Sequence, residues 1–154
     1  MVDVLLVRIV HLVFAGVWAG AVVFAALVVV PLARDGAFAA SRPIRRLSSR
    51  LVWISRLSAV VLLLTGGHLA AADYTAESLT GTLEGQLVLV MTGLWVVLIG
   101  LVEAGTSRLD RGLEAGRRRE PAAAVEPLFW AAAGVAVGLL VVAGLLTGGV
   151  GAHI

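Results

Sequence analysis

Four uninterrupted apolar runs constrain this chain more than any other feature: about Val4 to Leu32, Leu51 to Ala72, Gln86 to Ser107 and Pro127 to Val150. A hydrocarbon layer of about 30 Å takes roughly 20 helical residues to cross, so each run is long enough to span it. Backbone N–H and C=O groups cannot go unpaired in lipid, and none of the runs alternates as barrel strands do, so each is expected to be an α-helix. Composition agrees: only 14% of the 154 residues are charged, where a soluble domain carries about a quarter. The first run is too long for a signal-peptide core and lacks a convincing cleavage site. The expectation is an all-α integral membrane protein, a single up-down four-helix bundle over residues 1–154 joined by short loops.

The charges lie between the runs and order them. The first connection holds Arg34, Arg42, Arg45, Arg46 and Arg50 against Asp35, and the third holds Arg108, Arg111, Arg117, Arg118 and Arg119 among four acids. The second, Asp73 to Gly85, holds Asp73, Glu77 and Glu84 and no arginine. By the positive-inside rule the first and third loops are expected in the cytoplasm, with both termini and the acidic loop outside a plasma membrane. All twelve basic residues are arginines confined mostly to loops, so the positive balance suggests anionic lipid head groups rather than nucleic acid. Cysteine is absent, which excludes disulfides, Fe–S clusters, thiolate metal sites and thiol catalysis. No phosphate-binding loop, nucleophile–base pair or carboxylate cluster is visible, and hydrolytic or kinase chemistry is not expected.

Against this background the polar residues inside the runs stand out, because an ionisable group at membrane depth is costly. Arg8 and His11 lie in the first run and His68 near the end of the second. His11 is roughly 10 Å from the outer boundary at 1.5 Å per residue, and His68, on a helix of opposite direction, is roughly a turn from that same boundary. Ser55, Ser58, Thr65 and His68 fall within one broad arc of the second helix, and His11 shares a face with Ala15, Trp18 and Val22. A neutral imidazole binds haem iron, copper or zinc, and Arg8, one turn above His11, is placed to meet an anionic group such as a haem propionate. The alternative is that both histidines are polar packing groups satisfied by a neighbouring helix. His153 is a further histidine at the same end. Arg56 and Glu103 match in depth and sign and are expected to form an interhelical ion pair. Trp53, Trp95 and Trp130 read as interface anchors or packing residues. Glycines four apart, Gly16 with Gly20, Gly134 with Gly138 and Gly144 with Gly148, are expected to allow close helix contact. Pro43 and Pro121 are expected in loops.

The residues carry a family resemblance. His11 followed by Trp18, Ala19-Gly20 and Pro31 resembles the opening helix of the copper resistance protein D (CopD) family. Thr65-Gly66-Gly67, the Gly85-Gln86-Leu87-Val88-Leu89-Val90 stretch and Glu126 resemble its later motifs. A related four-helix group, the HemJ-type haem membrane proteins, holds haem b through a first-helix histidine. Met91 stands where the CopD family often carries a lysine, and Met1 and Met91 are the only thioethers. The resemblance implies a CopD-like membrane protein for copper uptake or tolerance. The residues leave open a haem b electron-transfer protein and a cofactor-free accessory subunit. His11 and His68 are the expected ligands of haem b or copper, with Arg8 and Trp18 beside them. Expected partners are the bilayer, a membrane or extracytoplasmic redox or copper-carrier protein, and a second copy of the chain.

Overall fold

The computed structural model describes residues 2–117 and 119–148. Arg118, His153 and the end of the fourth apolar run lie outside the described residues. Helices α1 (Val2–Phe24) and α2 (Val30–Arg34) are joined by a π-helical turn, Ala25–Val29, and together make the first span. The second span is α3 (Ser41–Asp73). A short α4 (Ala76–Gly81) follows, then α5 (Leu83–Glu114) and α6 (Arg119–Thr147) as the third and fourth spans. Four helices are thus long and apolar enough to cross a membrane, and there is no strand among the described residues. The chain is an all-α, four-span membrane protein.

The helices outrun the apolar stretches. α3 has 33 residues, about 50 Å at 1.5 Å per residue, against a hydrocarbon layer of about 30 Å. Arg42, Arg45, Arg46 and Arg50 therefore sit on α3 rather than in a loop. The two prolines expected in loops are in helices: Pro43 is the third residue of α3 and Pro121 the third of α6. A first-turn proline costs nothing, because its missing N–H would have had no partner within the helix. The acidic connection is ordered by α4, whose Thr75 and Ser78 cap each other reciprocally, satisfying the free N–H groups of its first turn. Gly85 of α5 then packs directly on the Ser78–Leu79 backbone, with no room for a side chain.

Each span packs against two neighbours. The first meets α3 and α6, and α5 meets α3 and α6, so the helices form a ring in chain order. The end carrying the α2–α3 and α5–α6 connections is the basic end; the other, carrying α4, is the acidic end. The expected glycine pairs do not make the close contacts, since a Cβ added at Gly16, Gly20, Gly134 or Gly144 would meet nothing within 4 Å. Gly105 and Gly112 of α5 do so instead, against Phe129 and Pro121 of α6. Those two are seven residues apart, hence on one face.

The core is confined to the basic half. Buried residues run from Trp18 to Ala33 in the first span, Ile44 to Leu62 in α3, Leu98 to Leu113 in α5 and Pro121 to Ala136 in α6. Toward the acidic end of the four spans, only Gly85 is fully buried among the described residues. Trp18, 1% exposed, marks the level at which sealed packing begins.

Candidate functional site in the acidic half

His11 lies two turns above Trp18 and on the same face, so it looks toward the interior of the loosely packed half. Its Nδ1 is 2.8 Å from Thr65 Oγ1 on α3. The Thr65 hydroxyl has a single proton, and Val61 O on its own helix lies 2.7 Å away as an acceptor for it. With the proton given to Val61 O, the oxygen accepts from His11 Nδ1–H and the Nε2 lone pair is left free. Gly66 fixes the ring from the side: a Cβ there would come within 3.1 Å of His11 Cε1. A held ring with a free Nε2 is the arrangement in which histidine ligates metals.

Below it, Trp18 Nε1 donates to Ser55 Oγ at 2.9 Å, both groups being buried. This bond clamps the first span to α3 beneath His11. The indole is committed to packing and to that bond. Above it, Arg8 Nη2 reaches Asp73 Oδ2 at 3.3 Å, with both side chains about half exposed. Arg8 thus closes the mouth between the first two spans with an acid of this chain.

His68 is brought to the same end but not to the same surface. It is exposed and has no hydrogen-bond partner among the described residues, one turn nearer the acidic end than Thr65. The reason is helical drift: 13 residues separate it from Ser55, roughly 140° around the helix at 100° per residue. The polar arc of α3 that begins on buried Ser55 has turned outward by the time it reaches His68. Among the described residues no group of three or more His, Cys, Asp or Glu could jointly hold a metal.

Two side chains of α5 belong to this half of the bundle: Met91, read in the sequence as one of two thioethers, and Trp95, read there as an interface anchor or packing residue. Met91, Leu94, Trp95 and Leu98 make the inward stripe of α5, where Leu98 is fully buried and Trp95 packs on the core. Trp95 Nε1 is sealed from solvent with no acceptor, a costly state for an indole N–H. The 3.6-residue spacing of this stripe is readable in sequence; the unmet donor is not. Trp53 and Trp130, by contrast, are 64% and 51% exposed and face outward. Around the mouth, Asp73, Glu77 and Glu84 gather negative charge. Burial and the nearby carboxylates of Glu84 and Asp73 push the Tyr74 phenol above its ordinary value, with Arg8 pulling the other way.

At the basic half, Arg56 Nε and Nη2 meet Glu103 Oε1 and Oε2 at 2.7 and 3.0 Å. Arg34 Nη1 likewise holds both oxygens of Glu126 at 3.0 Å. These pairs tie α3 to α5 and α2 to α6.

Fold and site together define a small four-span membrane protein that presents one poised imidazole toward its acidic end. Copper resistance protein D is the family whose profile matches, over residues 45–148. The chain belongs to the CopD family, and with that is related to copper. The match takes in the second, third and fourth spans but not the first, so the reading of His11 and Trp18 rests on geometry. No curated protein and no solved structure matches the chain.

Proposed function

We propose that the chain handles a copper ion at the acidic half of its bundle, with His11 Nε2 as the anchoring ligand. The observation that carries this reading is the Thr65 hydroxyl, which lies within hydrogen-bond distance of both Val61 O and His11 Nδ1 and so supports a ring held with Nε2 free. Imidazole serves Cu(II) well. Met91, on the inward stripe of α5, offers the soft thioether that Cu(I) prefers. Two side chains of this kind with solvent or a carrier protein completing the sphere suit a cargo ion that must also leave. His68, exposed nearer the mouth, is a capture group on the approach rather than a second interior ligand. The carboxylates of Asp73, Glu77 and Glu84 raise the local concentration of cations there.

With the acidic end outside the cell, such a site would load copper from the extracytoplasmic face. The Trp18–Ser55 bond lies on any route deeper into the bundle, so uptake across the membrane would require it to open. The test is metal analysis and a visible spectrum on protein purified in detergent after supply of copper and haem. The expected result is copper bound to wild type and lost in His11→Gln, with His68→Gln retaining most of it. A Soret band lost with His11 would make haem the ligand, and neither copper nor haem in wild type would leave an accessory subunit.

A further inference from the structure

Outside the His11 site, one polar cleft is cut into the lipid-facing side of the bundle. It lies between α3 and α5, has a volume of ≈ 340 Å³, and is lined among others by Ser49, Trp53, Arg56, Glu103, Thr106 and Asp110. The two helices run antiparallel here with Ser49 opposite Asp110 and Arg56 opposite Glu103. The apolar run of α3 starts at Leu51 and that of α5 stops at Ser107, so the cleft straddles the edge of the hydrocarbon layer. Its outward walls include Trp53, and Arg56 with a side chain 69% exposed. On a membrane-spanning bundle, an outward face at this level meets lipid head groups.

Most polar groups of the cleft are already spent. Ser49 Oγ donates to Arg45 O at 2.9 Å and Thr106 Oγ1 to Val102 O at 2.7 Å. Glu103 is held at both oxygens by Arg56 Nε and Nη2, which leaves Arg56 Nη1 for another acceptor. Asp110 is what remains. It forms no ion pair among the described residues; the Ser48 hydroxyl is its polar neighbour, and Ser48 Oγ and Asp110 Oδ1 are both sealed from solvent. Arg45 and Glu114, of opposite sign, are the charges it feels. A carboxylate without an ion-pair partner at this depth calls for a cationic donor. One arginine against two acids also leaves the lining one negative charge in excess, which disfavours an anionic ligand.

We infer that this cleft is a docking site for a zwitterionic lipid whose head group ends in a primary ammonium, as in phosphatidylethanolamine. The ammonium donates to Asp110, and the phosphate accepts from Arg56. The order along the bundle fits this orientation, because Arg56 lies two turns deeper than Ser49 and Asp110. A lipid with its tails toward the bilayer centre carries its phosphate deeper than its amine. Trp53 beside them offers an aromatic face to the ammonium.

The test is native mass spectrometry of the full chain released from bilayers of equal parts phosphatidylethanolamine, phosphatidylcholine and phosphatidylglycerol. It is repeated with the N-methyl and N,N-dimethyl forms of phosphatidylethanolamine, which remove N–H donors one at a time. The expected result is retention of the ethanolamine lipid over the choline lipid by roughly three- to ten-fold, the scale of one charge-assisted hydrogen bond that is partly exposed. Retention should fall stepwise with methylation, the preference should be lost in Asp110→Asn, and Arg56→Gln should lower retention of the ethanolamine and choline lipids alike. Equal retention of the amine and choline lipids by wild type would overturn the proposal without any variant. So would preferential retention of the anionic lipid, or an ethanolamine preference that survives in Asp110→Asn.

Discussion

At the scale of single residues, one hydroxyl, that of Thr65, orients the His11 ring. His11 and Trp18 share a face because seven residues make nearly two turns, and that much is visible in the sequence. Thr65 as the group that sets the His11 tautomer is not, because the register between two helices is fixed by side-chain packing along their whole length. Replacing Thr65 with Val keeps the shape and removes the acceptor, so the ring loses its preferred tautomer. Copper affinity, measured by competition with a chelator, is expected to fall about ten-fold, the usual scale for a residue that orients a ligand; unchanged affinity would remove Thr65 from the site. Gly66→Ala should weaken copper binding as well, since the added methyl meets the His11 ring at 3.1 Å. Trp18→Phe leaves Ser55 buried without its donor and should lower stability by about 1–2 kcal/mol, read as a lower unfolding midpoint in detergent. His68 illustrates the opposite limit of sequence reading. Its depth is right for the site, but the accumulated turn of α3 carries it to the outer surface.

At the scale of elements, the four spans are legible because a 20-residue apolar run admits one structure in lipid. The details that position the site depend on contacts between spans. The π-helical turn at Ala25–Val29 holds one more residue than α-helical winding would, and such turns frequently accompany functional sites. It sets the angle between His11 and Trp18 on one side and Arg34, which grips Glu126, on the other. Inserting one further residue after Leu27, an exposed residue of this turn, adds to the one the turn already absorbs and should rotate the two parts by about 100°. The Trp18–Ser55 and Arg34–Glu126 contacts could then no longer form together, and both copper binding and thermal stability should fall. An insertion variant as stable as the parent would show that the turn positions nothing. Arg56 and Glu103 agree in depth and sign in the sequence, and the structure joins them by two hydrogen bonds. Removing either alone should destabilise the protein more than removing both, because the single variants strand a charge.

At the scale of the whole molecule, the division is between a sealed basic half and an open acidic half. The sequence carries the charge asymmetry behind this division but not the packing, since the four apolar runs are alike in hydropathy from one half to the other. What differs is which small residues fall on inward faces. Gly105 and Gly112 draw α6 close in the basic half, whereas Met91 and Trp95 line the acidic half. By the positive-inside rule the arginine distribution supports the proposal that the acidic end faces outward from the cell. Cysteine introduced at Ala76 should accordingly react with an impermeant reagent in intact cells, and protection of that position would reverse the orientation. The central claim is that His11 ligates copper through Nε2. Pulsed electron paramagnetic resonance on the Cu(II)-loaded protein tests it directly, because a coordinated imidazole reveals itself through its remote nitrogen. Wild type should give an imidazole signal that survives His68→Gln and disappears in His11→Gln; a signal that persists without His11 would contradict ligation by His11.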